Sequence, residues 1–502
     1  MERIIRLVLQ SRLLMCVLGI LVIGAGWYSY NRLPVDAFPD VTPALVQVFT
    51  ETEGLAPEEV EKYVTYPVEV AMNGLPNLKE IRSVSNFGLS VVNIYFEDCT
   101  DIYFARQLVG ERLQLAREEI PEGFGEPEMG PITTGLGQIL FYVVEDETGR
   151  RTPEQMREIQ DWLIKFNIQT VPGVTEVLSL GGEVKQFQVL IRPADLLRYD
   201  LTLEEVVETI RANNSNVGAQ FLVKNSEEYI VRSVGLAEKL DDLEKIVLKV
   251  KDGTPVYLDQ VADIVIGGEV RRGLATMDGK GEAIVGMVLK LIGTNTSQVI
   301  SDVKAKIAKI NKVLPEGIKI VPYYDQATLV AKCVNTVTKA LLEAVVLIVF
   351  LLLYSSFNSL RNSLLIFLNI PLALVGGVIG LWLAGQNLSV PASVGFIALF
   401  GIALANGMVL VTYINQLLRN GVEVMRAAVE GACLRLRPVI MTATAAGLGL
   451  VPMALASGTG SKVQRPLATV VIGGLVTSTL LTLLVVPALY KWFAVKVEKE
   501  VP

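Results

Sequence analysis

Apolar and polar positions divide this chain into two unlike regimes. Six stretches are apolar enough to read as membrane spans, which need about 20 residues each. They are residues 13–30, 340–354, 364–384, 391–418, 438–457 and 467–490. The second is short and is expected to begin a few residues before 340. Between the first and second, period-two alternation exchanges with helical periodicity, the pattern of an α+β domain. QVFTETEG reads as a strand and PEEVEKYVTYPVEVAMN as a helix. IRSVSNFG and SVVNIYFED read as a hairpin, and DIYFARQLVGERLQLAREEI as a second helix. Residues 90–127 run strand, helix, Pro-Glu-Gly turn, strand, and residues 283–321 repeat that order. Such an echo suggests two related split-βαβ units side by side. The expected fold class is an α-helical membrane protein with six transmembrane helices and an α+β outer domain of two ferredoxin-like units. Residues 1–30 would form the N-terminus and first helix, 31–135 and 136–338 the two subdomains, 339–492 helices two to six, and 493–502 a tail. Within the second subdomain, residues 215–236 read as two alternating strands around Lys-Asn-Ser, a protruding hairpin.

Charge fixes an orientation. Lys and Arg gather in MERIIRLVLQSR, at Arg361, in residues 419–437 and in KWFAVKVEK, whereas the opposite loops carry only Lys462 and Arg465. With the basic flanks inside, the N-terminus is cytoplasmic and residues 31–338 lie outside, in a periplasm-like space. No small-residue cleavage site follows the first span, so it reads as a retained anchor. A hydrophobic fraction of 51% with only 19% charged residues agrees with a membrane protein carrying a sizeable polar part. The net charge of −7 argues against nucleic acid as a partner. The four cysteines are scattered, which is neither a disulfide framework nor a zinc knuckle. The absence of histidine removes the commonest metal ligand and proton shuttle together, and with them any histidine-based hydrolase triad. No Walker A loop is present, so ATP drive is not indicated and no enzyme activity or cofactor is expected.

Several motifs sit on this framework: LPVDAFPDVTP (33–43), APEEVEKYVTYPVE (56–69), FEDCTDIYFARQ (96–107), VPGVTEVLSLGGEVKQFQV (171–189), PVYLDQVADI (255–264), SVPASVGFIALFGIALANGMVLV (389–411), LRLRPVIMTA (434–443) and GTGSKVQRPLATVVIGGLVTSTLLTLLVVPALY (458–490). Together they resemble the resistance-nodulation-division (RND) efflux superfamily, in its heavy-metal branch of the cobalt-zinc-cadmium type. Members of that branch are usually about twice this length. Here the first span and outer domain resemble the N-terminal half, and the chain from about residue 345 resembles the C-terminal half. The resemblance implies a proton-driven exporter of metal cations in a bacterial inner membrane. It implies an oligomer (a trimer, or paired halves) joined to a periplasmic adaptor and an outer-membrane channel, with membrane lipids around it. The two subdomains would be porter subdomains. The 215–236 hairpin, with Gln220, Lys224, Asn225 and Tyr229, would be the arm that docks on a neighbouring protomer. Two other readings remain: a remnant or regulatory protein that does not couple to protons, and a protein-export accessory with the same order of spans.

In the resembling family, the proton relay uses acidic residues of a fourth span that this chain replaces with the neutral C-terminal type. A charge at the bilayer centre costs about 2.5–3.5 kcal/mol and is usually kept for function. Only Glu343 is ionisable within the six spans. It reads either as a proton carrier or as a carboxylate reaching the headgroups. Asn406 is the most central polar side chain, a relay partner or an interhelical hydrogen bond. Gly376 with Gly380, and Ala403 with Gly407, form small-xxx-small steps expected to pack helices. Met408, Met441 and Met453 could pass soft monovalent metals or fill gaps between helices. Asp36, Asp40, Glu126 and Glu128 could serve harder ions or be solvated loop acids. Cys99 stands where the family usually has glycine. Residues 419–437 read as an amphipathic helix on the cytoplasmic surface.

Overall fold

The computed structural model describes residues 12–34, 41–347 and 359–493, apart from nine positions (53, 99, 226, 252, 271, 272, 280, 457 and 459). Helix α1 (Arg12–Tyr30) covers the first expected span. The chain then builds β1 (Leu45–Glu51), α2 (57–72), β2 (Leu78–Asn86), β3 (Leu89–Phe96), α3 (Ile102–Glu119) and β4 (Pro127–Met129). These strands form one antiparallel sheet in the order β2-β3-β1-β4. Alternation decides which face is covered: Val46 and Val48 of β1 and Val92, Ile94 and Phe96 of β3 point into the core. Helix α3 starts where Asp101 Oδ1 accepts the amide of Tyr103 at 2.9 Å, and it buries Ala105, Val109, Leu113 and Ala116. Helix α2 buries Val60, Val64, Val68 and Met72, each four apart. Positions four apart drift about 40° round an α-helix. A π-helical turn at Glu61–Thr65 takes up that drift, so the four share one face. Thr65 ends the turn, buried, with its hydroxyl 2.8 Å from those of Ser85 and Ser90.

A second sheet has the same arrangement. Strand β5 (Gln138–Asp146), α4 (153–169) and β6 (Val174–Leu180) come first. An inserted lobe follows, made of β7 (Lys185–Ile191), α5 (Pro193–Tyr199), α6 (Leu203–Asn213), β8 (Val217–Lys224), β9 (Glu227–Ser233), α7 (Leu240–Glu244), β10 (Val247–Lys251), β11 (Thr254–Tyr257) and β12 (Ala262–Gly268). The chain returns through β13 (Ile284–Lys290), α8 (Thr296–Ile310) and β14 (Ile318–Asp325), giving the order β14-β5-β13-β6. Helix α8, capped by Asn295, buries Val299, Ile300, Val303, Ile307 and Ile310 against this sheet. Each such aliphatic side chain contributes about 1.5–3 kcal/mol over its exposed state. Helix α4 also carries a π-helical turn, Gln160–Lys165, and the fully buried Gln160 bonds to Tyr142 and Ser179. The two Pro-Glu-Gly turns are alike: Phe124 N donates to Pro121 O and Ile318 N to Pro315 O, with Gly123 and Gly317 at φ +87° and +83°. Only glycine takes that φ at no steric cost. The inserted lobe has its own small core around Val206, Ile246, Leu258 and Val261, and is closed by the antiparallel pair β7–β12.

The remaining helices are α9 (Gln326–Leu347), α10 (Leu360–Leu383), α11 (Val390–Arg419), α12 (Val424–Leu455) and α13 (Ser461–Phe493). Four of them, α10 to α13, are long and apolar enough to cross a membrane. Helix α9 starts the second expected span, whose remainder lies outside the described residues. Pro371 lacks the N–H that would bond the carbonyl of Phe367, and α10 departs from regular geometry at Leu368. The basic segment 419–437 is not a separate surface helix. A turn at Gly421 is followed by one helix that runs from Val424 through Pro438 to Leu455. Proline is tolerated within such spans because neighbouring groups satisfy the freed carbonyl.

Candidate functional site

Helix α13 is the centre of the bundle, and glycines set how near its neighbours come. A Cβ added at Gly376 would stand 1.7 Å from Thr477 Oγ1 and 2.6 Å from the Gly473 carbonyl. One added at Gly380 would stand 3.2 Å from the Thr469 carbonyl. At Gly407 it would lie 2.4 Å from Asn369 Nδ2, so the missing side chain makes room for that amide. Ala403 is buried in the same bundle, beside Leu399 and Phe396.

Asn406 faces α12. Its Oδ1 lies 3.2 Å from Thr442 Oγ1, whose other acceptor is the Val439 carbonyl at 3.0 Å. Asn406 is buried and its Nδ2 has no partner. If the amide is turned over, its N–H reaches Thr442 and the oxygen is left unpaired, so one polar atom is orphaned either way. Asn369, 1% exposed, lacks a partner at both amide atoms. Sequence reasoning passed over Asn369, although a second amide within a span was the available signal. Amides and hydroxyls can order water but do not hold a proton at ordinary pH.

The other candidates are dispersed. Glu343 is exposed on α9, with Lys339 Nζ one turn back at 3.9 Å and also exposed. Met408 is half-buried and packs against the core cluster that includes Leu365, Ile366 and Leu404. Met441 is exposed on α12. Glu126 and Glu128 are exposed on either side of the buried Pro127. Glu126 lines a cavity of about 590 Å³ with Glu51, Glu122 and Arg117. Asp36, Asp40 and Cys99 lie outside the described residues. Among the described residues, no three His, Cys, Asp or Glu side chains are grouped to hold a metal ion.

The 215–236 stretch is the hairpin β8–β9, turning at Asn225 with φ +54°. Lys224 pairs with Glu227 and Leu222 with Tyr229 across the strands, and Gln220 lies within β8. The Tyr229 hydroxyl donates to Glu227 at 2.8 Å, and the carboxylate holds the phenol above its ordinary pKa. Phe221, Leu222, Val223 and Ile230 are all exposed.

The sequence matches the AcrB/AcrD/AcrF family over residues 4–350 and 346–494. The two matched segments meet where the motifs change from one half-type to the other. The chain is 39% identical to the "Cation efflux system protein CzcA" of Alcaligenes sp. strain CT14, over 97% of its own length and 47% of that protein. It is 38% identical to the "Cobalt-zinc-cadmium resistance protein CzcA" of Cupriavidus metallidurans, with the same coverage. The fold is similar to a solved structure described as "X-ray crystal structure of a heavy metal efflux pump", with a TM-score of 0.87 at 29% identity, covering 98% of this chain and 49% of that one. The chain thus spans about half the length of the relatives it matches. By these matches along nearly its whole length, the chain belongs to the AcrB/AcrD/AcrF family, within the RND superfamily and on its heavy-metal efflux side.

Proposed function

We propose that this chain is a half-length component of a heavy-metal efflux system, exporting metal cations by proton antiport within a larger inner-membrane assembly. The observation that carries this reading is the 39% identity to CzcA along 97% of the chain. In this reading the chain has six spans, counting α1 and the helix that α9 begins. Residues 31–338 are periplasmic, and the two sheets are split-βαβ porter units. The strand orders β2-β3-β1-β4 and β14-β5-β13-β6 support that description. Partners are a second half or further copies, a periplasmic adaptor and an outer-membrane channel.

Pairing has a physical motive. Over half of α10, α11 and α13 is covered, but α12 is nearly bare. Leu434, Met441, Leu448 and Leu455 recur every seven residues along it, all exposed. A heptad stripe of that kind suits a second helix. Proton coupling has few candidates within the chain. Residues 362–418, 438–461 and 466–490 contain no Asp, Glu, Lys, Arg or His. Coupling therefore falls to Glu343, to ordered water at Asn369 and Asn406, or to acids of a partner. The same observation favours a second reading, a subunit that folds but does not couple.

Expression in a metal-sensitive host with adaptor and channel present tests both. Resistance to zinc, cobalt, cadmium, copper or silver supports export, and Glu343→Gln should abolish it if that carboxylate carries the proton. No change with any metal leaves the non-coupling reading. Full resistance in Glu343→Gln removes Glu343 from the pathway.

A further inference from the structure

Helices α1, α10 and α13 form a half-open groove of about 280 Å³ lined by nine residues, none with a polar side chain. Its shape follows from two glycines on one face of α1. A Cβ at Gly26 would press on Val375 at 2.7 Å, whereas one at Gly19 would meet nothing within 4 Å. The seam between α1 and α10 is therefore shut at Gly26 and open two turns lower, at Gly19. Leu368 and Leu372 form the α10 wall, and Val485, Ala488 and Leu489 the α13 wall. Water gains nothing there, because a cavity water needs two to four polar partners. A helix, about 10–12 Å across, does not enter a wedge that closes on Gly26.

Two side chains, Arg361 and Trp492, belong to the helices that line the groove. Arg361 is seven residues before Leu368, two turns nearer the start of α10. Trp492 is three, four and seven residues after Leu489, Ala488 and Val485, on one face. Arg361 and Trp492 are both exposed. Seven residues of helix are about 10 Å, so the groove lies at acyl-chain depth beneath an arginine and an interfacial tryptophan. Arginine at such a level reaches phosphate, and tryptophan favours the headgroup region.

We propose that this groove holds one acyl chain of a phospholipid from the cytoplasmic leaflet, with its phosphate at Arg361. Its assignment to that leaflet rests on the orientation proposed above. A lipid tail is already in hydrocarbon, so the preference for this place comes from close packing and from the phosphate contact, not from leaving water.

The full chain is reconstituted in vesicles of phosphatidylethanolamine and phosphatidylglycerol with a trace of phosphatidylglycerol carrying a diazirine midway along one chain. After photolysis, adducts are mapped by peptide mass spectrometry. Adducts should concentrate at residues 19–23, 368–372 and 485–489. Ala488→Phe, which fills the groove, should reduce them roughly ten-fold and leave adducts on exposed α12 unchanged. Arg361→Gln should reduce them by a smaller factor. Gly19→Leu fills the groove from the opposite wall and should reproduce Ala488→Phe should that variant not insert. Adducts spread evenly over α1 and α12, or a groove crosslinked to a second polypeptide instead, would overturn the proposal. Labelling does not depend on metal movement, so a chain that exports nothing but labels in the groove removes the export reading alone.

Discussion

Replacing Gly473 by alanine tests how tightly α10 and α13 are held together. A Cβ built there would stand 2.7 Å from the Gly376 carbonyl oxygen and 3.2 Å from Gly380 Cα. Both are backbone atoms, so no rotamer change relieves the contact, and the helices must separate along a seam that also holds Gly376 against Thr477. Overpacking of this kind costs about 1–3 kcal/mol. Alanine's better helix propensity returns about 1 kcal/mol. A net loss of up to about 2 kcal/mol is therefore expected, about 1–3 kcal/mol below a glycine-to-alanine change that meets no clash. Gly401→Ala on α11 is the control, because its Cβ would meet nothing within 4 Å. It keeps the propensity gain without the clash and should be neutral or slightly stabilising. Unfolding of the full chain in mixed micelles, driven by sodium dodecyl sulfate and followed by tryptophan fluorescence, gives both free energies. Gly473→Ala as stable as Gly401→Ala would refute the close-contact argument.

Asn406→Val should stay within about 1 kcal/mol of the parent in the same assay, because interhelical polar contacts average near 0.6 kcal/mol and Thr442 keeps the Val439 carbonyl. A loss above roughly 2 kcal/mol would show that the amide holds a stronger bond than the Thr442 contact. Asp146 accepts bonds from the Thr148 hydroxyl and from the amides of Arg151, Thr148 and Arg150, which bring its pKa down to about 2. Its folded value is depressed, so its contribution is complete above the unfolded value near 3.9 and is lost as pH falls toward 2. Asp146→Asn should flatten the acid limb of stability below about pH 4, and an unchanged acid limb would contradict the assignment. Phe221 and Ile230 face each other across the hairpin and are exposed. Changing both to Asp should leave the unfolding midpoint alone and lower the particle mass in detergent, whereas an unchanged mass would eliminate the docking role.

Local rules made much of the outer domain legible. Helix α3 was readable because Asp101 caps it and its apolar residues keep helical spacing, and the β8–β9 hairpin because two alternating runs flank Lys-Asn-Ser. The pairing of β7 with β12 was not, because it joins residues more than seventy positions apart and neither strand encodes the other. Helix α12 was divided at Pro438 because the charge pattern changes there, yet the backbone runs through. Of the candidate site, Asn406 was visible as an amide in an apolar run. That the Asn369 amide fits where it does depends on Gly407 of another helix, which leaves room for it. The lipid groove was out of reach for the same reason, since three helices distant in sequence make it.

The π-helical turns in α2 and α4 tie helix to sheet in both units. Such turns occupy well under one residue in a hundred in ordinary proteins. Here each sits in the first helix of its unit, and each holds a buried polar residue that bonds a serine on the unit's second strand: Thr65 with Ser85, Gln160 with Ser179. Thr65 closes its turn whereas Gln160 opens its own, so the two wide turns are displaced from one another relative to the polar residue each one carries. Each unit thus uses a wide turn to bring a polar side chain of its first helix onto its second strand, a buried tie between helix and sheet.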